Sequence, residues 1–213
     1  QRTVGEGCEV LAVVKADAYG HGVGLVAPAL AAAGAKLFGV ALVEEGVELR
    51  KLGIEQPILV LGSFFPGQEA DVIEYQLTPV LYDLACARRL DSAARDAGRS
   101  IDYHLKVDTG MGRLGFRVDR LDEALPVLKN LKSLNMSGVM SHLAVADEPE
   151  RPLTALQCET FSAVVARVEK AGFRPFYKHI ANSAGIYSRK LNGCNLVRPG
   201  ISLYGGLTGG PFA

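Results

Sequence analysis

Five separated segments place polar side chains where an apolar run stops. Lys15 ends the run Val10-Leu11-Ala12-Val13-Val14 in the stretch AVVKADAYGHG, and a phenol, Tyr19, follows four residues on. Lys106, Asp108 and Arg113 fall in KVDTGMGRLG and His142 in MSHLAVADE. Asn182 and Ser183 fall in HIANSAG, and Arg198, Gly200 and Ile201 in VRPGISLYG. Taken singly, each has a plain structural explanation. A lysine at a strand tip snorkels to water, and a histidine there hydrogen-bonds into the core. Lys106 and Arg113 can pair with Asp108, Ser183 can cap a helix, and Tyr19 can simply pack. None of these explains why the five segments all sit at the ends of apolar runs.

The elements that would position them are legible as strands and helices in alternation. Runs rich in β-branched residues cover 9–15, 37–42, 57–61, 77–82, 102–107, 137–142, 176–180 and 195–198. They are mostly unbroken rather than alternating, as in strands covered on both faces. Between them, helical patterns cover 24–33, 43–52, 68–75, 83–97 and 121–131, the last interrupted by Pro126. The clearest is 153–173, where Leu156, Phe161, Val164, Val165 and Val168 recur at helical spacing before Gly172. Strand–helix repeats imply parallel pairing through right-handed crossovers. Eight such units in 213 residues fit an α/β fold of the (β/α)8 TIM-barrel type, forming one domain over 1–213, with a doubly wound open sheet as the alternative. After the eighth strand, residues 205–211 are glycine-rich and carry no helical pattern, so the outer ring is expected to lack a helix. The chain also begins without methionine, which suggests a fragment of something longer.

Composition narrows the partners. The 23 basic and 23 acidic residues cancel, so no charge stripe points to nucleic acid, and no apolar run is long enough to span a bilayer. The four cysteines, Cys8, Cys86, Cys158 and Cys194, form no CxxC pair, which argues against a metal site and for reduced thiols in a cytoplasmic protein.

In a barrel of this type the five polar segments meet at one mouth, the C-terminal ends of the strands. The loops after strands seven and eight are a common phosphate site there. Ser183 offers a hydroxyl, the amides around Gly200 and Ile201 can approach a ligand closely, and the Tyr19 phenol can donate. If the ligand carries an aldehyde at its other end, Lys15 becomes its covalent partner. Phosphate, lysine and a residue facing a pyridine nitrogen together describe pyridoxal phosphate.

The motifs themselves resemble those of the alanine racemases, the barrel class of pyridoxal-phosphate enzymes. AVVKADAYGHG resembles the cofactor-lysine signature, with Asp17 where Asn is common. KVDTGMGRLGF, MSHLAVADE, HIANSAG and LVRPGISLYG follow in order and at plausible spacings, so the likeness spans the chain. The resemblance implies that Lys15 holds the cofactor as an internal aldimine and then acts as one of two bases. It implies a phosphate cradle of Tyr19, Ser183, Gly200 and Ile201 beside Asn182, and Arg198 facing the pyridine nitrogen with His142 nearby. Arg113 would sit near the cofactor's phenolic oxygen and the substrate carboxylate, and Lys106 resembles a lysine carbamylated in many members. Arginine stays charged and only donates, so a nitrogen facing Arg198 would stay unprotonated, which shortens carbanion lifetime and suits a racemase.

The family's second base is a tyrosine from the C-terminal β-domain of a partner subunit. The resemblance therefore implies a homodimer that supplies D-alanine for cell-wall peptidoglycan, and implies that this stretch alone is inactive or weak. A non-catalytic pyridoxal-phosphate carrier and a racemase of another small amino acid such as serine are the alternatives. A barrel-type decarboxylase is disfavoured by Arg198, because such enzymes place a carboxylate at that nitrogen.

Overall fold

Strands buried on both faces need parallel neighbours and a coat of helices, and the computed structural model has this arrangement. It describes residues 4–5, 7–148, 150–188 and 193–206. The strands are β1 (Glu9–Val13), β2 (Leu37–Val40), β3 (Ile58–Val60), β4 (Thr78–Leu81), β5 (Ile101–Asp108), β6 (Phe116–Arg117), β7 (Leu134–Met140), β8 (Tyr177–His179) and β9 (Leu196–Val197). Every pairing is parallel, in the order β8-β7-β5-β4-β3-β2-β1-β9, with the two-residue β6 lying beside the end of β5. The last strand returns to the first, pairing Glu9 with Leu196 and Val10 with Val197. Between β8 and β9 the ring is bridged by Asn195 N–H to the Lys178 carbonyl and by Arg198 N–H to that of Ala181, both 3.1 Å. An open doubly wound sheet would leave its outer strands apart, so the barrel is the fold.

The expected helices appear as Val23–Ala32, Val43–Lys51, Glu69–Glu74, Leu84–Asp96, Leu121–Asn130 and Leu153–Lys170, trimmed slightly at their ends. Pro126 lies within its helix. The Leu153–Lys170 helix buries Phe161, Val164 and Val168 and packs Val165 against the core as expected, but it also buries Thr154, Gln157 and Cys158 and leaves Leu156 57% exposed. Gln157 accounts for this. Its amide donates to the His142 carbonyl and its carbonyl accepts from Ala144 N–H, so a polar residue occupies the inward face to hold the loop after β7. Strands also stop earlier than expected. β1 ends at Val13 and β7 at Met140, which puts Lys15 and His142 on exit turns. The expected absence of an eighth helix concerns 207–211, which lie outside the described residues.

Side chains divide into two layers. Leu11, Val13, Leu37, Leu59, Val80, Met140 and Leu196 pack inside the barrel, while Phe38, Leu105, Leu121, Phe161 and others pack between strands and helices. Because side chains alternate along a strand, Leu105 facing outward turns His104 and Lys106 inward. The bulge at the Tyr103/His104 step of the β5–β7 ladder lies on β7, where Ser137 is the extra residue, and it brings Gly138 opposite His104. Gly138 on β7 leaves the space the His104 ring fills, since a Cβ there would lie 2.7 Å from it. Among the described residues no helix is long and apolar enough to cross a membrane, and no acidic, histidine or cysteine cluster could hold a metal.

Away from the mouth, Arg50 ties four carbonyls together. Its guanidinium donates to Ile54 (2.6 Å), Gln56 (2.8 Å), Tyr75 (2.9 Å) and Gln76 (3.1 Å), joining the ends of the Val43–Lys51 and Glu69–Glu74 helices. An ammonium cannot span that fork. Arg50→Lys is expected to lower stability by about 2 kcal/mol, read as a lower urea midpoint, and an unchanged midpoint would show the fork to be dispensable.

Candidate active site

Arg198, immediately after β9, is a buried cation, 4% exposed. It has no carboxylate partner. Nη1 donates to His179 Nδ1 (2.7 Å), and Nη2 donates to the carbonyls of Ser141 (2.7 Å) and Ile180 (3.1 Å) and to His142 Nδ1 (3.3 Å). An arginine can only donate, so both imidazoles must present a bare Nδ1 and carry their single proton on Nε2. His179 Nε2 then donates to His104 Nδ1 at 2.8 Å. Burial first, and the Arg198 charge second, push His142 down to about 2 and His104 to about 3, and hold His179 well below its ordinary value. All three are neutral. His142 Nε2 lies 3.5 Å from Asn182 Nδ2, whose amide also donates to the Leu143 carbonyl (3.2 Å).

At the β8 and β9 exits the chain builds a cradle. Asn182 caps the short Ser183–Tyr187 helix by accepting from Gly185 N–H (3.0 Å), the role Ser183 was open to. Ser183 instead turns its hydroxyl toward the next loop. Its oxygen accepts Gly200 N–H (3.0 Å), Ser202 Oγ–H (3.1 Å) and Ser202 N–H (3.4 Å), which leaves its own proton for a ligand. The Tyr19 hydroxyl stands where a Cβ on Gly200 would go. Ile201 begins the turn Ile201–Tyr204 and is 40% exposed. Tyr204, unremarked in the sequence, packs its ring against those of Tyr19 and His21 at 5.2 and 4.6 Å between centroids and donates to the Val13 carbonyl (3.1 Å).

Lys15 opens a left-handed turn. Ala16, Asp17, Ala18 and Tyr19 have φ of +52°, +52°, +54° and +56°. Four successive L-residues there cost about 1–2 kcal/mol each, so surrounding bonds have to impose the shape. Ala18 N–H reaches the Val14 carbonyl (2.9 Å), and Asp17 Oδ1 accepts Val23 N–H (2.6 Å). The turn sets Lys15 Nζ 5.9 Å from the centre of the Tyr19 ring.

Across the mouth, Lys106 on β5 is 4% exposed and Arg113 is exposed beyond it. Burial, then Arg198 and Arg113, push the Lys106 ammonium down to about 8, although Asp108 opposes this. Asp108 is otherwise occupied: its carboxylate accepts the amides of Gly110, Met111 and Gly112.

Each site residue expected from the sequence lines one cavity of about 450 Å³: Lys15, Tyr19, Lys106, Arg113 and His142 with Asn182, Ser183, Arg198, Gly200 and Ile201. The lining carries four cations and one acid, Asp147. None of the four is in an ion pair among the described residues. Sequence reasoning missed His104 and His179, which act from behind the cavity wall. Their signal was present as histidines inside the strand runs DYHLKV and FYKHI.

Comparison with known proteins agrees with this geometry. The family model described as alanine racemase, N-terminal domain, matches residues 1–208. The chain belongs to the alanine racemase family. That family is pyridoxal-phosphate dependent. Among its members, the alanine racemase of Geobacter sulfurreducens is 47% identical over 214 residues, covering 99% of this chain and 56% of that protein. The crystal structure of alanine racemase from Streptomyces lavendulae superposes with a TM-score of 0.92 at 34% identity, covering 97% of this chain and 55% of that one. The enzyme from Bartonella henselae, solved with covalently bound pyridoxal phosphate, superposes at 0.85 with 30% identity, covering 96% of this chain and 56% of that one. The chain thus spans just over half the length of the family members it matches.

The Lys106 environment makes a pH prediction. Its folded value of about 8 lies below the ordinary 10.5, so between them the unfolded chain binds a proton that the folded one does not. Stability should rise with pH across that window, by roughly 3 kcal/mol in total. Lys106→Met should abolish the rise and stabilise the protein at neutral pH; denaturant midpoints that stay flat with pH in the unaltered protein would contradict this.

Proposed function

We propose that the protein interconverts L- and D-alanine with pyridoxal phosphate held on Lys15. The carrying observation is four cations around one small cavity, none neutralised by an acid among the described residues. That suits a ligand with phosphate at one end and a substrate carboxylate at the other. The residues fit the cofactor. Gly200 brings bare backbone against Tyr19, Ser183 has a hydroxyl proton to give, and Arg198 Nε has no partner among the described residues.

When bound, the cofactor supplies an electron sink that acidifies the α-carbon of an amino acid. Lys15 anchors it and takes or returns the α-proton on one face. Tyr19, Ser183 and the Gly200 and Ile201 amides hold the phosphate beside Asn182. Arg198 donates to the ring nitrogen, and His142 stays a neutral donor beside it. Arg113 takes the substrate carboxylate. Lys106, with an uncharged fraction near neutral pH, can add carbon dioxide and release a proton, giving Arg113 an anionic partner. The other face needs a second base. On this reading it comes from the C-terminal β-domain of a partner subunit, so the working form is a homodimer with a further domain, acting in the cytoplasm to supply D-alanine for peptidoglycan.

Borohydride reduction of the full-length protein with pyridoxal phosphate, followed by peptide mapping, should place the adduct on Lys15. In deuterium oxide, alanine should then exchange its α-proton and racemise faster than serine. An adduct on another lysine, or a preference for serine, would overturn the assignment. Gly200→Ala should weaken cofactor affinity by about tenfold or more, because its methyl displaces the Tyr19 hydroxyl.

A further inference from the structure

The Lys15 turn is strained, and one carboxylate from outside the cavity reaches into it. Glu45 is the third residue of the Val43–Lys51 helix, which follows β2. Its Oε2 accepts the N–H groups of Ala41 (2.6 Å) and Leu42 (3.1 Å), as a residue capping a helix start does. Its Oε1 makes a bond that capping does not require. It accepts Ala16 N–H at 2.7 Å, 29 positions away in sequence and directly after Lys15.

The β1–β2 ladder ends at Val14 N–H to the Gly39 carbonyl (2.8 Å), and Ala16 is the first of the four left-handed residues. The bond is solvent-exposed, so water can replace Glu45 as acceptor, but water would not tie this left-handed residue to the β2 exit. The two segments joined by Glu45 are the exits of neighbouring parallel strands, so its two oxygens set their spacing at the mouth.

We propose that Glu45 is a positioning residue: it fixes the Lys15–Tyr19 turn against β2 and thereby places the cofactor lysine and the phosphate-binding phenol. It lines no part of the cavity and touches no reacting atom. A carboxylate is suited because both ends accept. A glutamine in its place would point an NH₂ donor at one of the N–H groups it must satisfy. The inference rests on reading Lys15 as the cofactor lysine.

The test compares Glu45→Gln with Asp83→Ala in the full-length protein. Asp83 caps the Leu84–Asp96 helix through Cys86 N–H (2.8 Å) and does not line the cavity, so its loss reports simple cap removal. Glu45→Gln should weaken pyridoxal-phosphate affinity about tenfold and lower the yield of borohydride-trapped adduct at Lys15. Asp83→Ala should shift the melting temperature comparably and leave affinity within about twofold. Equal affinities in the two variants would reduce Glu45 to a helix cap. In the unaltered protein the Ala16 amide should resist hydrogen exchange; exchange at the rate of an exposed loop would overturn the proposal even if a variant fails to fold. Failure of the unaltered protein to label Lys15 would instead overturn the cofactor assignment, and Ala16 exchange would still decide the structural part.

Discussion

Arg198 can only donate, and it is buried where the strands of the barrel converge. With no carboxylate beside it, everything within reach has to be an acceptor: two backbone carbonyls and the Nδ1 atoms of His142 and His179. That requirement fixes both histidines as neutral Nε2–H tautomers. It propagates one ring further to His104, and Gly138 is small because the His104 ring needs the space. A carboxylate at this position would reverse the pattern, with protonated rings around an acceptor. On the proposed reading, this arrangement would favour a ligand nitrogen that accepts a hydrogen bond over one that has taken up a proton.

The remaining cations act against that background. Lys15, Lys106 and Arg113 face the same cavity, and burial beside like charge depresses Lys106. Such a site is costly when empty and is relieved by an anion. On the proposed reading, the phosphate end would use short neutral donors and the opposite end Arg113. The residues come from β1, β5, β7, β8 and β9 and their exits, so closure of the ring, including the two hydrogen bonds between β8 and β9, is a precondition for assembling them.

Much of this was legible in the sequence because each cavity residue lies at or just past the end of an apolar run, and strand ends are where a barrel exposes chemistry. Three features were not. The left-handed turn after Lys15 has no local signature: Ala16, Ala18 and Tyr19 have no intrinsic preference for positive φ, and the shape is imposed by distant acceptors such as Glu45. His104 and His179 were not picked out, since their role depends on an arginine that follows a different strand. In the Leu153–Lys170 helix only the placing of Leu156 departs from the pattern, because hydrophobicity was counted and the inward hydrogen bonds of Gln157 were invisible.

The central claim is that Arg198, held by neutral acceptors, keeps the cofactor's ring nitrogen unprotonated. Nitrogen NMR of the full-length protein loaded with pyridoxal phosphate labelled at that nitrogen tests it directly. The account predicts the chemical shift of an unprotonated, hydrogen-bonded pyridine across the neutral pH range. A pyridinium shift at neutral pH would contradict it.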